Sequence, residues 1–269
     1  MSVADFQHQR MPDGTHVASV GSGPPMVFLH GLGLDHAMWA PLAQFLAPRF
    51  RLVCIDLLGH GENPRPAADS KLDGYAAQVI AVLDHLDIRA AAVVGCDLGG
   101  QVALATAYHY ADRVNQLILL GTAYRRLKAQ RDMMLKRIEQ ARKHGPEANA
   151  DSAIQRWFSA AFQSHHKPLT DGIRARIATT EPVGYLMASK LYAWADTYTA
   201  DMLRDINCPV LLLAGALDMG TTPDMARRLA RALAHAKLIV VPRQRHMLAL
   251  EVPDIVSESI VEFLAAAEP

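Results

Sequence analysis

Short apolar runs at 26–30, 52–56, 91–96, 114–120, 210–214 and 238–241 alternate with longer segments at 72–86, 99–110, 223–234 and 253–266, where apolar residues recur at helical spacing. The short runs are rich in Val, Ile and Leu, as strands buried on both faces are. Such alternation predicts βαβ crossovers and a mostly parallel central sheet with helices on both faces. The opening differs. Met11-Pro12-Asp13-Gly14 is a turn signal between two short extended runs and predicts an antiparallel edge hairpin. Gly21-Ser22-Gly23-Pro24-Pro25 then breaks the chain ahead of the first central strand.

The alternation lapses between about 124 and 204, where helical stretches are separated by Gly145-Pro146, Lys167-Pro168 and Glu181-Pro182. The expected organisation is an α/β core of residues 1–123 and 205–269 with a helical cap of residues 124–204, inserted over the strand ends where such sheets hold their sites. Trp157, Phe158, Phe162, Tyr185 and Trp194 are expected to pack cap against core, with Tyr124, Trp157, Tyr185 and Trp194 as candidate substrate-pocket residues. Met133, Met134, Leu135 and Ile138 are the expected inward face of the first cap helix. The series Arg125, Arg126, Lys128, Arg131, Lys136, Arg137, Arg142 and Lys143 reads first as a solvated face, and secondly as an attractor of anionic substrates.

Composition narrows the class. In 269 residues, 51% hydrophobic content supports a full core and argues against disorder. Lys and Arg balance Asp and Glu at 27 each, which makes nucleic-acid grooves and anionic membrane surfaces poor expectations. Cys54, Cys96 and Cys208 form no metal or redox spacing, and Cys54 and Cys208 lie in apolar runs, as reduced core thiols do. The first ten residues hold no apolar signal region, and no run reaches the length of a membrane span. A cytoplasmic globular protein acting on a small molecule is expected, without nucleic-acid or membrane partners; a homodimer is compatible with the sequence.

The strongest chemical signal is Val93-Val94-Gly95-Cys96-Asp97-Leu98-Gly99-Gly100, which ends a strand and opens a helix. This is the setting of a nucleophile elbow, G-x-S-x-G, with Asp97 in the central position. The glycines let backbone segments pass closely, and the turn lifts the middle side chain toward the helix N-terminus. His30-Gly31-Leu32-Gly33 follows the first buried strand, where the Leu32 N–H, with that of Leu98, can complete an oxyanion hole. Asp218 lies just past a late strand, before Thr221-Thr222-Pro223, and His246 follows the last strand. Nucleophile, acid and histidine thus occur in that order, each in a loop beyond a strand end.

On these residues, with Asp56-Leu57-Leu58-Gly59-His60-Gly61, the chain resembles the α/β-hydrolase superfamily along essentially its whole length. The segment from His30 to Asp35 and the approach to Cys208-Pro209 are most similar to small esterases and 3-oxoadipate enol-lactonase-like proteins, whose elbow residue is Ser. The resemblance implies Asp97 as nucleophile, His246 as base, Asp218 as its orienting acid, Leu32 and Leu98 as oxyanion donors, and no cofactor or metal.

Aspartate changes the chemistry. A carboxylate attacking an ester gives a high-energy anhydride, whereas attack on saturated carbon gives an ordinary alkyl ester that His246 can hydrolyse with water. Epoxide hydrolases and haloalkane dehalogenases work in this way. Dehalogenases usually place Trp after the nucleophile and Asn after His-Gly, where this chain has Leu98 and Leu32; the Arg that follows Asp in fluoroacetate-type enzymes is also absent. Epoxide hydrolases usually have His-Gly-x-Pro, with Gly33 here in the Pro position, and need cap phenols, for which Tyr124, Tyr185, Tyr192 and Tyr198 are available. Epoxide hydrolysis through an ester on Asp97 is the leading expectation. The alternatives are a carboxylic-ester or enol-lactone hydrolase whose Ser is replaced, naturally or by engineering, and a non-catalytic capped ligand binder. Cys96 is expected to be structural, His60 to shape its loop, Asp56 to be a turn acceptor or alternative acid, and His165-His166 to lie in an exposed loop.

Overall fold

The computed structural model describes residues 5–266. Its strands are β1 (Gln7–Arg10), β2 (His16–Val20), β3 (Pro25–Leu29), β4 (Arg51–Ile55), β5 (Ala91–Cys96), β6 (Val114–Leu120), β7 (Val210–Gly215) and β8 (Ala236–Val241). They form one sheet in the order β1-β2-β4-β3-β5-β6-β7-β8. The opening turn closes an antiparallel pair, with Gln7 opposite Ser19 and Arg10 opposite His16. β2 also runs against β4, whereas neighbours from β3 to β8 are parallel. Each expected apolar run is a strand, with ends moved by a residue or two.

Period-two geometry divides the sheet's side chains between two cores. Val27, Leu29, Val53, Ile55, Val93, Leu117 and Leu119 enter one, while Met26, Phe28, Leu52, Cys54, Val94, Ile118 and Leu120 enter the other. Helices α1 (Ala40–Leu46), α2 (Leu72–His85) and α3 (Leu98–His109) follow within the first half of the chain. The β6–β7 connection holds α4 (Lys128–His144), α5 (Ala150–Trp157), α6 (Ala160–His165), α7 (Lys167–Thr179) and α8 (Pro182–Tyr198). The chain then forms α9 (Pro223–Ala232), α10 (Leu248–Glu251) and α11 (Pro253–Ala266). α2, α3 and α9 cover one face through Val79, Val102 and Leu229, and α1 and α11 cover the other through Leu42, Leu46, Val256 and Ile260.

The breaks inside the β6–β7 insertion have local causes. Pro168 and Pro182 occupy first-turn positions of α7 and α8, where a missing N–H costs nothing. Glu181 caps α8 by accepting the N–H groups of Val183 at 3.0 Å and Gly184 at 2.7 Å. Asp196 on α8, fully buried, pairs with Arg126 at 2.8 Å and Arg131 at 3.3 Å, tying the start of the insertion to its end. No helix among the described residues is long and apolar enough to cross a membrane.

Candidate active site

Asp97 stands between the end of β5 and the first residue of α3, with φ 56° and ψ −110°. A non-glycine residue rarely adopts this conformation, and it persists where the surroundings over-determine it. Here they do. A Cβ on Gly99 would overlap the carbonyls of Leu29 and His30, and one on Gly95 would overlap that of Gly99. The strand and helix therefore approach as only glycine permits.

The adjacent loop is held by His30. Its Nε2 accepts the Leu57 N–H at 2.9 Å, so Nδ1 carries the proton and donates to the Gly31 carbonyl at 2.8 Å. That bracing presents the Leu32 N–H to Asp97 Oδ2 at 3.1 Å. Leu98, buried, opens α3, whose first N–H groups lack intrahelical partners.

His246 and Asp218 arrive from the loops after β8 and β7. His246 Nδ1 lies 2.6 Å from Asp218 Oδ2, and Nε2 lies 3.5 Å from Asp97 Oδ1. Asp218 is further held by the N–H groups of Gly220 at 2.8 Å and Thr221 at 3.0 Å, and by the Thr221 hydroxyl at 2.5 Å. Burial alone would lower the His246 pKa, but the charge and hydrogen bond of Asp218, followed by those of Asp97, raise it to about 10. Burial would raise Asp97. The His246 hydrogen bond and charge, then Tyr192 and the Leu32 N–H, hold it below its ordinary value instead. Each carboxylate thus favours the protonated imidazole that lies between them.

A cavity of about 370 Å³ opens over these groups. Leu32, Asp97, Asp218 and His246 line it, as do the expected pocket residues Trp157 and Tyr185. Trp157 stacks near the His246 ring, with centroids 6.3 Å apart, and its carbonyl accepts the His246 N–H at 3.1 Å. Two expectations fail. Tyr124 is buried in a core cluster away from the cavity wall. Trp194 is 56% exposed, under the guanidinium of Arg131 at 4.4 Å, because its phase on α8 points it outward. Met134 and Ile138 face inward as expected, but Leu135 is exposed, and Met133 is exposed too although it touches the cavity rim.

Beside the expected Tyr185, the cavity wall holds residues outside the expected pocket set. Tyr185, Ser189 and Tyr192 lie on one face of α8 at spacings of four and three, and all line the cavity. The Tyr192 hydroxyl donates to Asp97 Oδ1. Arg126 lies 4.3 Å from the centroid of the Tyr192 ring and bonds its backbone carbonyl at 3.1 Å, fixing its position. Arg126 and Arg137 of the basic series line the cavity, beside Arg156 of α5, so the series is not simply a solvated face. Its helical period was the available signal: Met134, Arg137, Ile138 and Ala141 share one side of α4.

The other candidates are structural. Asp56 accepts the His36 N–H at 2.7 Å and bonds His16 at 2.8 Å, outside the cavity. His16, His36 and Asp56 are the one described cluster compact enough to hold a metal ion, and their ligand atoms are already bonded to one another. His60 is buried and neutral, its pKa pushed down to about 3 by burial and then by His30. Burial pushes the Cys96 thiol well above its ordinary range, away from reactivity. His165 and His166 are exposed.

The model of the family described as alpha/beta hydrolase fold matches residues 24–253. (E)-2-((N-methylformamido)methylene)succinate hydrolase of Acinetobacter baylyi is 27% identical over 249 residues, covering 93% of this chain and 93% of its own. 3-Oxoadipate enol-lactonase 2 of the same organism is 29% identical over 237 residues, covering 88% of this chain and 87% of its own. The solved structure of a thermophilic esterase from Thermogutta terrifontis, with malate bound, is 27% identical with a TM-score of 0.86, covering 99% of this chain and 100% of that one.

Proposed function

The chain belongs to the α/β-hydrolase family and is a hydrolase of it; from that premise we propose that it opens a small epoxide through a covalent ester on Asp97. The observation that carries this reading is the seating of the Asp97 carboxylate. Oδ2 rests on the Leu32 N–H at 3.1 Å, and Oδ1 faces Tyr192 and His246. A serine hydrolase needs that N–H open for the oxygen of its substrate. A carboxylate nucleophile needs it under its own second oxygen, because its second tetrahedral intermediate forms on Cγ of Asp97.

The steps balance. Asp97 Oδ1 attacks an epoxide carbon, the C–O bond breaks, and the freed oxygen takes a proton from a cap phenol, Tyr192 or Tyr185. A hydroxyalkyl ester remains on Asp97. Esterification removes the Asp97 charge that helps hold the His246 proton; His246 returns that proton to the tyrosinate and becomes a base. It then takes a proton from water, and hydroxide adds to Cγ while Oδ2 develops charge against the Leu32 and Leu98 N–H groups. Collapse expels the second oxygen of the diol, which takes the His246 proton. The carboxylic acid left on Asp97 protonates His246 and restores the resting state.

A second reading, favoured by the enol-lactonase and esterase likeness, keeps ester or enol-lactone hydrolysis, with Asp97 replacing Ser. Carboxylic acids recur in the names of the relatives, which makes acidic substrates the first class to assay on either reading. The test is a matched screen of the protein and its Asp97→Ser variant on epoxide and aryl-ester panels. Epoxide opening by the Asp97 protein alone is the expected result. Turnover by the Ser variant alone, on esters, overturns the nucleophile reading and favours the second.

A further inference from the structure

The active-site cavity adjoins an outer groove of about 750 Å³, and the two share Met133, Arg137, Arg156 and Met219. Arg137 from α4 and Arg156 from α5 therefore stand at the neck between them. Most other cations of α4 have acids: Lys128 has Asp132 at 2.7 Å, Arg131 has Asp196, and Arg142 and Lys143 share Glu139, whereas Lys136, on the rim of the outer groove, has none among the described residues. Among the described residues neither Arg137 nor Arg156 meets a carboxylate at salt-bridge distance; Arg156 donates only to the Ser152 hydroxyl, at 2.9 Å. Lys136 and Arg245 also line the outer groove, which has no acidic lining residue.

Half-buried guanidiniums without a carboxylate in contact are costly unless something supplies one; Asp97 and Asp218 act on them only from a distance. Burial lowers the pKa of both, and the neighbouring Arg137 is the next cause of lowering Arg156 to about 10. The two cations thus repel across the neck at neutral pH, and an anion placed between them would relieve that repulsion. Two planar donor forks suit a carboxylate.

We propose that Arg137 and Arg156 form an anion receptor that takes the carboxylate of a small organic acid at the neck, leaving its electrophilic carbon toward Asp97. The substrate part rests on the reading of Asp97 as nucleophile. The receptor does not.

The test has two arms. In the first, succinate is titrated calorimetrically into the protein, with succinamide as the neutral control of similar shape. Succinate binding is expected to weaken about tenfold in Arg137→Gln and in Arg156→Gln, with Arg156→Lys recovering part of it. Thermal unfolding of each variant separates this from misfolding. Unchanged succinate affinity in both folded Gln variants, or equal binding of succinamide, overturns the receptor. In the second arm, oxirane-2-carboxylate and its amide are compared as substrates. Preference for the acid, lost through a raised KM in both Gln variants, supports the assignment. Arginine-dependent succinate binding without turnover of either oxirane leaves the receptor standing and sinks the epoxide reading; turnover that favours the amide sinks the substrate class.

Discussion

Tyr192 and His246 meet at one atom: the phenol donates to Oδ1 of Asp97, and Nε2 of the imidazole lies 3.5 Å from the same oxygen. One group reaches it from the β6–β7 insertion and the other from the loop after β8. A proposed acid and the proposed base therefore reach the proposed nucleophile from separate parts of the chain. That arrangement makes the two half-reactions separable by mutation.

Tyr192→Phe removes a proton donor and one of the groups that hold Asp97 below its ordinary pKa. Ester formation should slow by roughly 10²–10⁴-fold, the usual scale for a lost general acid. The acid limb of the single-turnover pH profile should move to higher pH, because a carboxylate with fewer donors protonates more easily. A limb that stays in place would show that the Tyr192 contact does not bear on Asp97 reactivity.

His246→Gln should leave ester formation in place and stall its hydrolysis. Intact-protein mass spectrometry after exposure to substrate should show the protein plus one whole epoxide, and peptide mapping should locate the added mass on Asp97. An adduct elsewhere, or none with continuing turnover, would remove this residue pair from the mechanism.

The same histidine links stability to pH. Its pKa is raised from 6.5 to about 10 on folding, so its stabilising contribution is full below pH 6.5 and is lost as pH rises through about 10. Asp97 and Asp218 are held below their ordinary 3.8, so theirs is present above that value and is lost as pH falls through their lower folded values. The melting temperature of the free protein should decline between pH 7 and 10, and the decline should be shallower in His246→Gln. Equal slopes would show that His246 is not protonated at rest.

The core was legible because its rules are local and strict. Gly95 and Gly99 mark backbone approaches that no side chain survives, and the apolar runs β3 to β7 are buried almost throughout, with the edge strand β8 half-buried. Asp218 and His246 were legible because each follows one of those strands. The wall of the cavity was not, because it breaks the rule by which helices are read. On α4 the inward side carries Arg137 among Met134, Ile138 and Ala141, so apolar patterning misplaced Leu135 inside and put Arg137 in solvent. Trp194 was misplaced for the complementary reason: an aromatic ring can find its partner on the surface, here the guanidinium of Arg131.

Asp196 offers the clearest test of how the insertion is held over the site. It is completely buried, accepts the Arg126 backbone N–H at 2.6 Å, and pairs with the side chains of Arg126 and Arg131. Asp196→Asn keeps the shape but removes the only carboxylate that these two cations share among the described residues. Breaking a buried pair from one side typically costs about 3–5 kcal/mol, since the remaining charge stays buried without compensation. Arg126 would also lose the anchor that keeps it over the Tyr192 ring, so Tyr192 should shift from Asp97 and the activity should fall with the stability. Urea unfolding should register the stability change, and hydrogen exchange should show the loss of protection concentrated in α4 and α8 while β3, β5 and β6 stay protected. Uniform loss across the sheet would mean that insertion and core unfold as one unit, and that Asp196 supports the whole molecule rather than the wall over Asp97.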